Sequence, residues 1–273
     1  MRIATINVNG IRASVRRGFI DWLVDRQPDL VALQEVRAPA ELVPIEASTG
    51  YHFAYHPGNR AGRNGVALLS RTPPVAVREG FGNRSFDPEG RYLEADYDLN
   101  GWRLSVGSLY LPKGGRADDT EEELARYHRK LAFMRSFRPY LTKARRAARA
   151  GGREFLVMGD FNIAHTRADV RNWRGNAKSV GFLPEEREWL GTIQSPRTLV
   201  DVVRQLHPDT EGPYSWWSWM GNAFTSDTGW RIDYHFTSAA LANAAISGGT
   251  DRAESYETRI SDHAPVVVDY ADR

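Results

Sequence analysis

The sequence predicts an α/β domain, and three observations carry that prediction. Strand-like and helix-like segments are mixed from end to end rather than segregated into halves. The opening, from Arg2 to Val36, reads strand, helix, strand, which is a β-α-β pattern. The 273 residues are 41% hydrophobic and 11% aromatic, enough apolar matter for one large core, and no internal repeat or low-complexity linker marks a second unit.

Arg2 to Asn9 reads as a first strand, Gly18 to Gln27 as a helix stopped by Pro28, and Leu30 to Val36 as a second, largely apolar strand. Shorter strands are expected at Tyr51 to Tyr55, Val66 to Ser70, Val75 to Arg78, Arg91 to Tyr97 and Arg103 to Tyr110, and the Gly, Pro and Asn turns between them suit antiparallel pairing. A long helix is expected after Asp118, Asp119 and Thr120, where acidic side chains complement a helix N-terminus, with Pro139 kinking or dividing it. Its basic end, Lys143, Arg145, Arg146, Arg149 and Arg153, reads first as a solvated face and only second as a nucleic-acid contact. Phe155 to Met158 is a buried strand leading into Gly159-Asp160-Phe161-Asn162, and Pro184 to Ile193 is a short helix with proline in its first turn. The closing third gives an aromatic loop at Tyr214 to Met220, strands at Arg231 to Thr237 and Ala264 to Tyr270, and a helix near Ala239 to Ala245.

Composition excludes some chemistry. Cysteine is absent, which removes disulfides, thiolate metal sites and cysteine nucleophiles, and together with the lack of a secretory leader pattern it favours a cytoplasmic home. No apolar run reaches the roughly 18 residues a membrane span needs. The formal charge is only +2, a weak argument for a polyanionic partner, so the distribution of charge has to decide. Lysine occurs only at Lys113, Lys130, Lys143 and Lys178; the arginine excess suits phosphate recognition but reads most simply as codon bias.

Polar residues recur where apolar strands end. Asn7 and Asn9 stand two apart at the end of the first strand and so project from one face. Glu35 follows Leu30 to Leu33, Asp160 and Asn162 follow Phe155 to Met158, and Ser261-Asp262-His263 precede the apolar run Val266 to Val268. Taken singly, each is more often a turn or cap than a functional group. Several of them on one α/β fold, whose ligand crevices lie at the carboxyl ends of strands, reverse that preference. Hard oxygen donors without cysteine suit Mg²⁺, with Mn²⁺ as an alternative, rather than zinc, and so suit hydrolysis of a phosphate ester.

Six ordered segments, Asn7-Val8-Asn9-Gly10, Gln34-Glu35, Tyr110-Leu111-Pro112, Gly159-Asp160-Phe161-Asn162, Trp230-Arg231-Ile232-Asp233-Tyr234 and Ser261-Asp262-His263, resemble those of the exodeoxyribonuclease III and abasic-endonuclease family over essentially the whole chain. The resemblance implies a four-layered α/β sandwich of two mixed β-sheets flanked by helices, formed as one catalytic domain over 1–273. It also implies a Mg²⁺-dependent phosphodiesterase that cleaves DNA 5′ to abasic sites, leaving 3′-hydroxyl and 5′-deoxyribose phosphate ends, with 3′-5′ exonuclease and 3′-end-cleaning activity beside it. The implied partner is double-stranded DNA with abasic sites or 3′ ends, met by a monomer.

Residue by residue, the resemblance implies Glu35 as principal metal ligand with Asn9 and Asp262 nearby; Asn9 stands where some members carry Asp, so one ligand charge is missing. Asp160 would activate the attacking water and Asn162 would hold it in line. His263, oriented by Asp233, would donate to the phosphate oxygens; Tyr110 would bond the phosphate or leaving group, and Asn7 would support the metal side. Trp216, Trp230 and Ile232 match the abasic-sugar pocket. Met220 and Arg116 match residues that wedge into the duplex, and Arg12, Ala13, Arg17, Arg37 and Asn176 match positions along the DNA backbone; Ser179 departs from the Asn of some relatives. The competing readings are a superfamily phosphatase or phospholipase, opposed by the Trp-rich segment and Arg12, and a catalytically silent DNA-binding protein, opposed by the complete polar set.

Overall fold

The computed structural model describes residues 1–60 and 62–273. Twelve strands form two six-stranded sheets among the described residues. The first sheet runs β11 (Ala245–Thr250), β12 (Val266–Tyr270), β1 (Arg2–Asn7), β2 (Leu30–Gln34), β4 (Val66–Ser70), β3 (His52–His56). The second runs β5 (Ala76–Glu79), β6 (Tyr92–Leu99), β7 (Trp102–Tyr110), β8 (Glu154–Asp160), β10 (Asp233–Thr237), β9 (Val200–Asp201). Each sheet has one parallel pair, β1 with β2 and β7 with β8, and is antiparallel elsewhere, so both are mixed.

Apolar side chains on alternate positions of both sheets meet face to face. Ile3, Leu30 and Leu68 from the first sheet pack with Leu104, Val106, Leu156 and Met158 from the second. The outer face of the first sheet is covered by α1 (Ile11–Arg16) and α2 (Phe19–Arg26), through Ile11, Phe19 and Leu23. The outer face of the second is covered by α3 (Glu121–Ala150) and α4 (Pro184–Ile193), through Phe133, Phe137, Trp189 and Leu190. The result is the four-layered sandwich that the resemblance implies. Two five-residue helices, α5 (Val202–Leu206) and α6 (Ala239–Asn243), close the edge beyond β9 and β10.

Several boundaries differ from the sequence expectation, each for a local reason. Strand β1 stops at Asn7, because Asn9 takes a left-handed φ of 45° and its backbone N–H turns back to the Asn7 side chain at 3.0 Å. Asn7 and Asn9 therefore share a turn rather than one face of a strand. Strand β2 stops at Gln34 because Glu35 adopts φ 51°. Helix α1 follows immediately on Gly10, where a helix was not expected. Pro139 does not divide α3, which is continuous over 30 residues and capped by the Thr120 hydroxyl on the Glu123 N–H. An interior proline costs about 3 kcal/mol. Burying Phe133, Met134, Phe137 and Leu141, at roughly 1.5–3 kcal/mol each, outweighs it.

The chain reversals place the polar strand ends at one end of the sandwich. Tyr110, Asp160 and Asp233 are register partners across β7, β8 and β10, and Asn7 pairs with Gln34 across β1 and β2. Gly159 makes the level of Asp160 possible: its φ is 135°, and a Cβ there would lie 2.2 Å from the Leu109 carbonyl oxygen on β7. Gly159→Ala is accordingly expected to lower the unfolding free energy by about 3 kcal/mol, read as a lower urea midpoint, since backbone strain and overpacking act together.

Candidate active site

Asn7, Tyr110, Asp160 and Asp233 are delivered by strands whose apolar residues are locked in the core, and Asn9, Glu35, Asn162, Asp262 and His263 by the turns and loops beside those strands. Asn7 is fully buried and its amide donates to Glu35 Oε1 and to Asp160 Oδ2, both at 2.8 Å, tying the two sheets together through one side chain. Glu35 pairs through its other oxygen with the Arg37 guanidinium. The Asn9 amide donates to Asp262 Oδ1 at 2.8 Å. Asp160 Oδ1 accepts from the Asn162 N–H at 2.8 Å, its Oδ2 accepts from the Asn162 amide at 3.2 Å, and that amide also reaches the Leu111 carbonyl at 2.9 Å. His263 Nδ1 lies 2.8 Å from Asp233 Oδ2, and its Nε2 lies 3.8 Å from Asp160 Oδ2.

The electrostatics follow from burial and from these neighbours. Burial pushes Asp160 up to about 7; the Asp233 charge adds to that and the His263 charge opposes it. Burial alone would strip the proton from His263, but Asp233 and then Asp160 outweigh it and hold the imidazolium up to about 10. Burial also acts to raise Asp262, yet the His263 charge and hydrogen bonds from Asn9 and Trp216 keep it below the usual carboxylate range. Burial, followed by the Glu35 charge, holds the Tyr110 hydroxyl well above its ordinary value, so it stays a proton donor. The Arg91 guanidinium lies 5.0 Å from the Tyr110 ring and fixes its plane.

Asp160, Asp233 and His263 offer ligand atoms within 4.8 Å of one another, a spacing at which a metal ion could be held. Glu35 and Asp262, the carboxylates singled out from sequence as metal ligands, lie outside that trio. The trio is already occupied internally: Asp233 is bonded to His263, and His263 keeps its proton. Glu35 and Asp262 are engaged as well, Glu35 by Asn7 and Arg37 and Asp262 by Asn9 and Trp216, and the Arg37 cation drawn against Glu35 marks a place that favours positive charge.

The aromatic segment joins this centre directly. Trp216 and Trp230 meet edge to face at 6.3 Å, with Ile232, Val170 and Phe182 packed behind them. Trp216 Nε1 donates to Asp262 Oδ2 at 3.1 Å, and Trp216 bridges to both Trp230 and His263 through the backbone.

The remaining sequence candidates spread around the rim. Met220 is 83% exposed. Arg12 and Arg17 are exposed on or just beyond α1 and Ala13 is half-buried, with the Arg17 guanidinium 4.5 Å over the Trp219 ring. Arg116 is turned towards Asp118 and Asp119 of its own loop. Asn176 is spent on a local turn, donating to the Asn172 carbonyl and accepting from the Ser179 hydroxyl. Sequence reasoning passed over Ser215, whose hydroxyl bonds Asp233 Oδ2 at 2.6 Å and takes the Ile232 and Asp233 N–H groups. It also passed over Arg231, buried between Trp230 and Ile232 and paired with Asp169 and Asp201. Neither carries a spacing signal.

Architecture and site together are those of a hydrolytic enzyme built on two facing mixed sheets. Residues 4–263 match the model of the Endonuclease/Exonuclease/phosphatase family, and the chain belongs to that family. It is similar to the DNA repair nuclease APEX1 of Danio rerio, 31% identical over 272 residues that span 98% of this chain and 81% of that protein. Among solved structures it is similar to an AP endonuclease from Archaeoglobus fulgidus, with a TM-score of 0.81, 27% identity and 99% of each chain covered. It is equally similar to the 3′ phosphatase NExo from Neisseria bound to product DNA hairpin, with a TM-score of 0.83, 27% identity and 99% of each chain covered.

Proposed function

We propose that this protein is a Mg²⁺-dependent DNA repair phosphodiesterase that cuts the backbone 5′ to an abasic site. The observation that carries this reading is the hydrogen bond from Trp216 Nε1 to Asp262 Oδ2, which sets an apolar aromatic wall against a hydrolytic centre. A flipped nucleotide lacking its base would rest on the half-buried faces of Trp216 and Trp230, with Ile232 buried behind them, and extrusion costs least where no base is stacked. The relatives named as an AP endonuclease and a DNA repair nuclease support the same substrate.

In this reading Asp160, with its proton affinity near neutrality, accepts a proton from the attacking water, and Asn162, fixed by Asp160 and Leu111, holds that water in line. His263, kept protonated by Asp233, donates to a non-bridging phosphate oxygen. Tyr110 donates to the phosphate or the leaving oxygen, and Asn7 holds Glu35 and Asp160 at a fixed separation. Glu35, Asn9 and Asp262 are the proposed Mg²⁺ ligands, and the ion when bound neutralises charge on the phosphate and leaving oxygen. Arg12, Ala13, Arg17 and Arg37 are the proposed contacts to the DNA backbone; Asn176 and Arg116 would first have to leave their local partners to join them, and exposed Met220 is the proposed wedge.

The pH dependence follows from the two shifted groups. The base works when Asp160 is ionised and the donor works when His263 is protonated. A plot of log kcat/KM against pH is therefore expected to rise up to about 7 and to fall beyond about 10. A profile flat from pH 5 to 11 would remove both assignments.

The test is cleavage of end-labelled duplex DNA carrying one abasic-site analogue, with Mg²⁺ present. A single cut 5′ to the lesion supports the reading. A ladder shortening from 3′ ends makes the protein chiefly an exonuclease, and intact DNA sends the assignment to the phosphatase or silent-binder alternatives.

A further inference from the structure

Beneath the candidate centre lies a charged pair that the chemistry above does not use. Lys130 of α3 and Glu186 of α4 are each about 2% exposed, and Lys130 Nζ stands 2.6 Å from Glu186 Oε1. The ammonium also donates to the Asn162 carbonyl at 2.9 Å and to the Lys113 carbonyl at 3.1 Å, so all three of its protons are placed. Glu186 Oε2 accepts the N–H groups of Gly181 at 2.7 Å and Leu183 at 3.0 Å. The Gly181 carbonyl in turn takes the Ala164 N–H at 2.8 Å, and Phe182 of the same loop packs edge to face on Trp230 at 6.3 Å.

A buried ion pair is a poor way to gain stability, since a well-packed neutral pair of similar volume often does as well. What an apolar pair cannot supply is a donor to two loop carbonyls at once. We propose that Lys130 and Glu186 are a positioning pair that sets Asn162 and the Trp230 wall in register with each other. The pair joins three loops: the one after β7, the one after β8, and the one before α4. The inference rests on the proposed hydrolytic role of Asn162.

The double variant Lys130→Met with Glu186→Gln tests it. Glutamine retains an acceptor for the Gly181 and Leu183 N–H groups, so the α4 cap survives while both charges and the ammonium donors go. The expected result is a cooperative thermal melt at a lower temperature than the parent's, since the Asn162 and Lys113 carbonyls lose their donor, with kcat on the abasic duplex lowered about tenfold or more and KM changed by less than about threefold. Amide hydrogen exchange, which needs no substrate, is expected to speed up about tenfold over 161–164 and 181–183 while β1 and β2 stay protected. A folded double variant with kcat and exchange both within about twofold of the parent would overturn the proposal. Lys130→Arg, which keeps a cationic donor, is expected to retain more turnover than Lys130→Met; equal loss in the two would also overturn it. Were the parent itself to leave the duplex intact, the functional reading would fall, and the exchange experiment would still decide for or against the pair.

Discussion

Asp160→Asn is expected to lower kcat on an abasic duplex by about 10³-fold while leaving the protein folded. The substitution keeps the shape of the side chain but removes its charge and its ability to take a proton. The carboxylate sits at the meeting point of Asn7, Asn162 and His263, so no neighbour is free to replace it: Asn7 and Asn162 present amide donors and His263 holds its proton. One carboxamide N–H of the new residue would face the Asn7 donor, which costs about 1–3 kcal/mol of stability as a frustrated buried hydrogen bond. Single-turnover kinetics beside a thermal melt separates the two effects. A turnover within about tenfold of the parent would mean that the water is activated elsewhere.

Removal of divalent ions is expected to abolish cleavage without unfolding the chain, and added Mg²⁺ to restore it. The fold does not need the ion, because Arg37 already offsets Glu35 and the protonated His263 offsets Asp233. A ligand that binds only the folded form at 100 times its Kd raises stability by about 2.7 kcal/mol, so a Mg²⁺ titration of the melting temperature reads affinity independently of activity. Asn9→Asp sharpens the test. It places a carboxylate where the Asn9 amide now donates to Asp262, and two facing carboxylates need a cation or a shared proton between them. The variant is expected to melt lower than the parent in chelator and to reach half-maximal activity at several-fold lower Mg²⁺. Cleavage that persists in excess chelator would refute the metal assignment.

Much of this was legible in the sequence because strand ends are local features. An apolar run that stops at a carboxylate or an asparagine can be read without knowing which strand pairs with which, and Glu35 and Asp160 were singled out that way, while His263 was singled out because it stands just before the run Val266 to Val268. The α4 helix was equally plain, with Pro184 at its start and acidic residues in its first turn. Pairing was not legible. The segment Ala245–Thr250 ends in two glycines and a threonine, has no alternation to speak of, and is a strand because β12 offers it an edge. The same holds for Lys130 and Glu186, separated by more than fifty positions and set on two different helices: only the packing of α3 against α4 puts one charge on the other. The turn at Asn9 failed for a subtler reason. Alternation predicts a shared face only while the chain stays extended, and Asn9 leaves the extended region.

Asn9, Glu35, Arg37 and Asn162 all hold left-handed backbone, at φ of 45°, 51°, 53° and 50°. Asparagine bears such a conformation with little penalty, whereas glutamate and arginine lose about 1–2 kcal/mol each. The consequence concerns heredity and engineering rather than mechanism. Exchanging Glu35 or Arg37 for glycine would relieve that strain, but it would break the Glu35–Arg37 pair and remove a group the proposed chemistry calls for. Relief of strain and turnover therefore pull in opposite directions at the same few codons. A thermostable descendant that still works has to find its improvements at the far end of the sandwich, where the strands turn over and no charge is on duty.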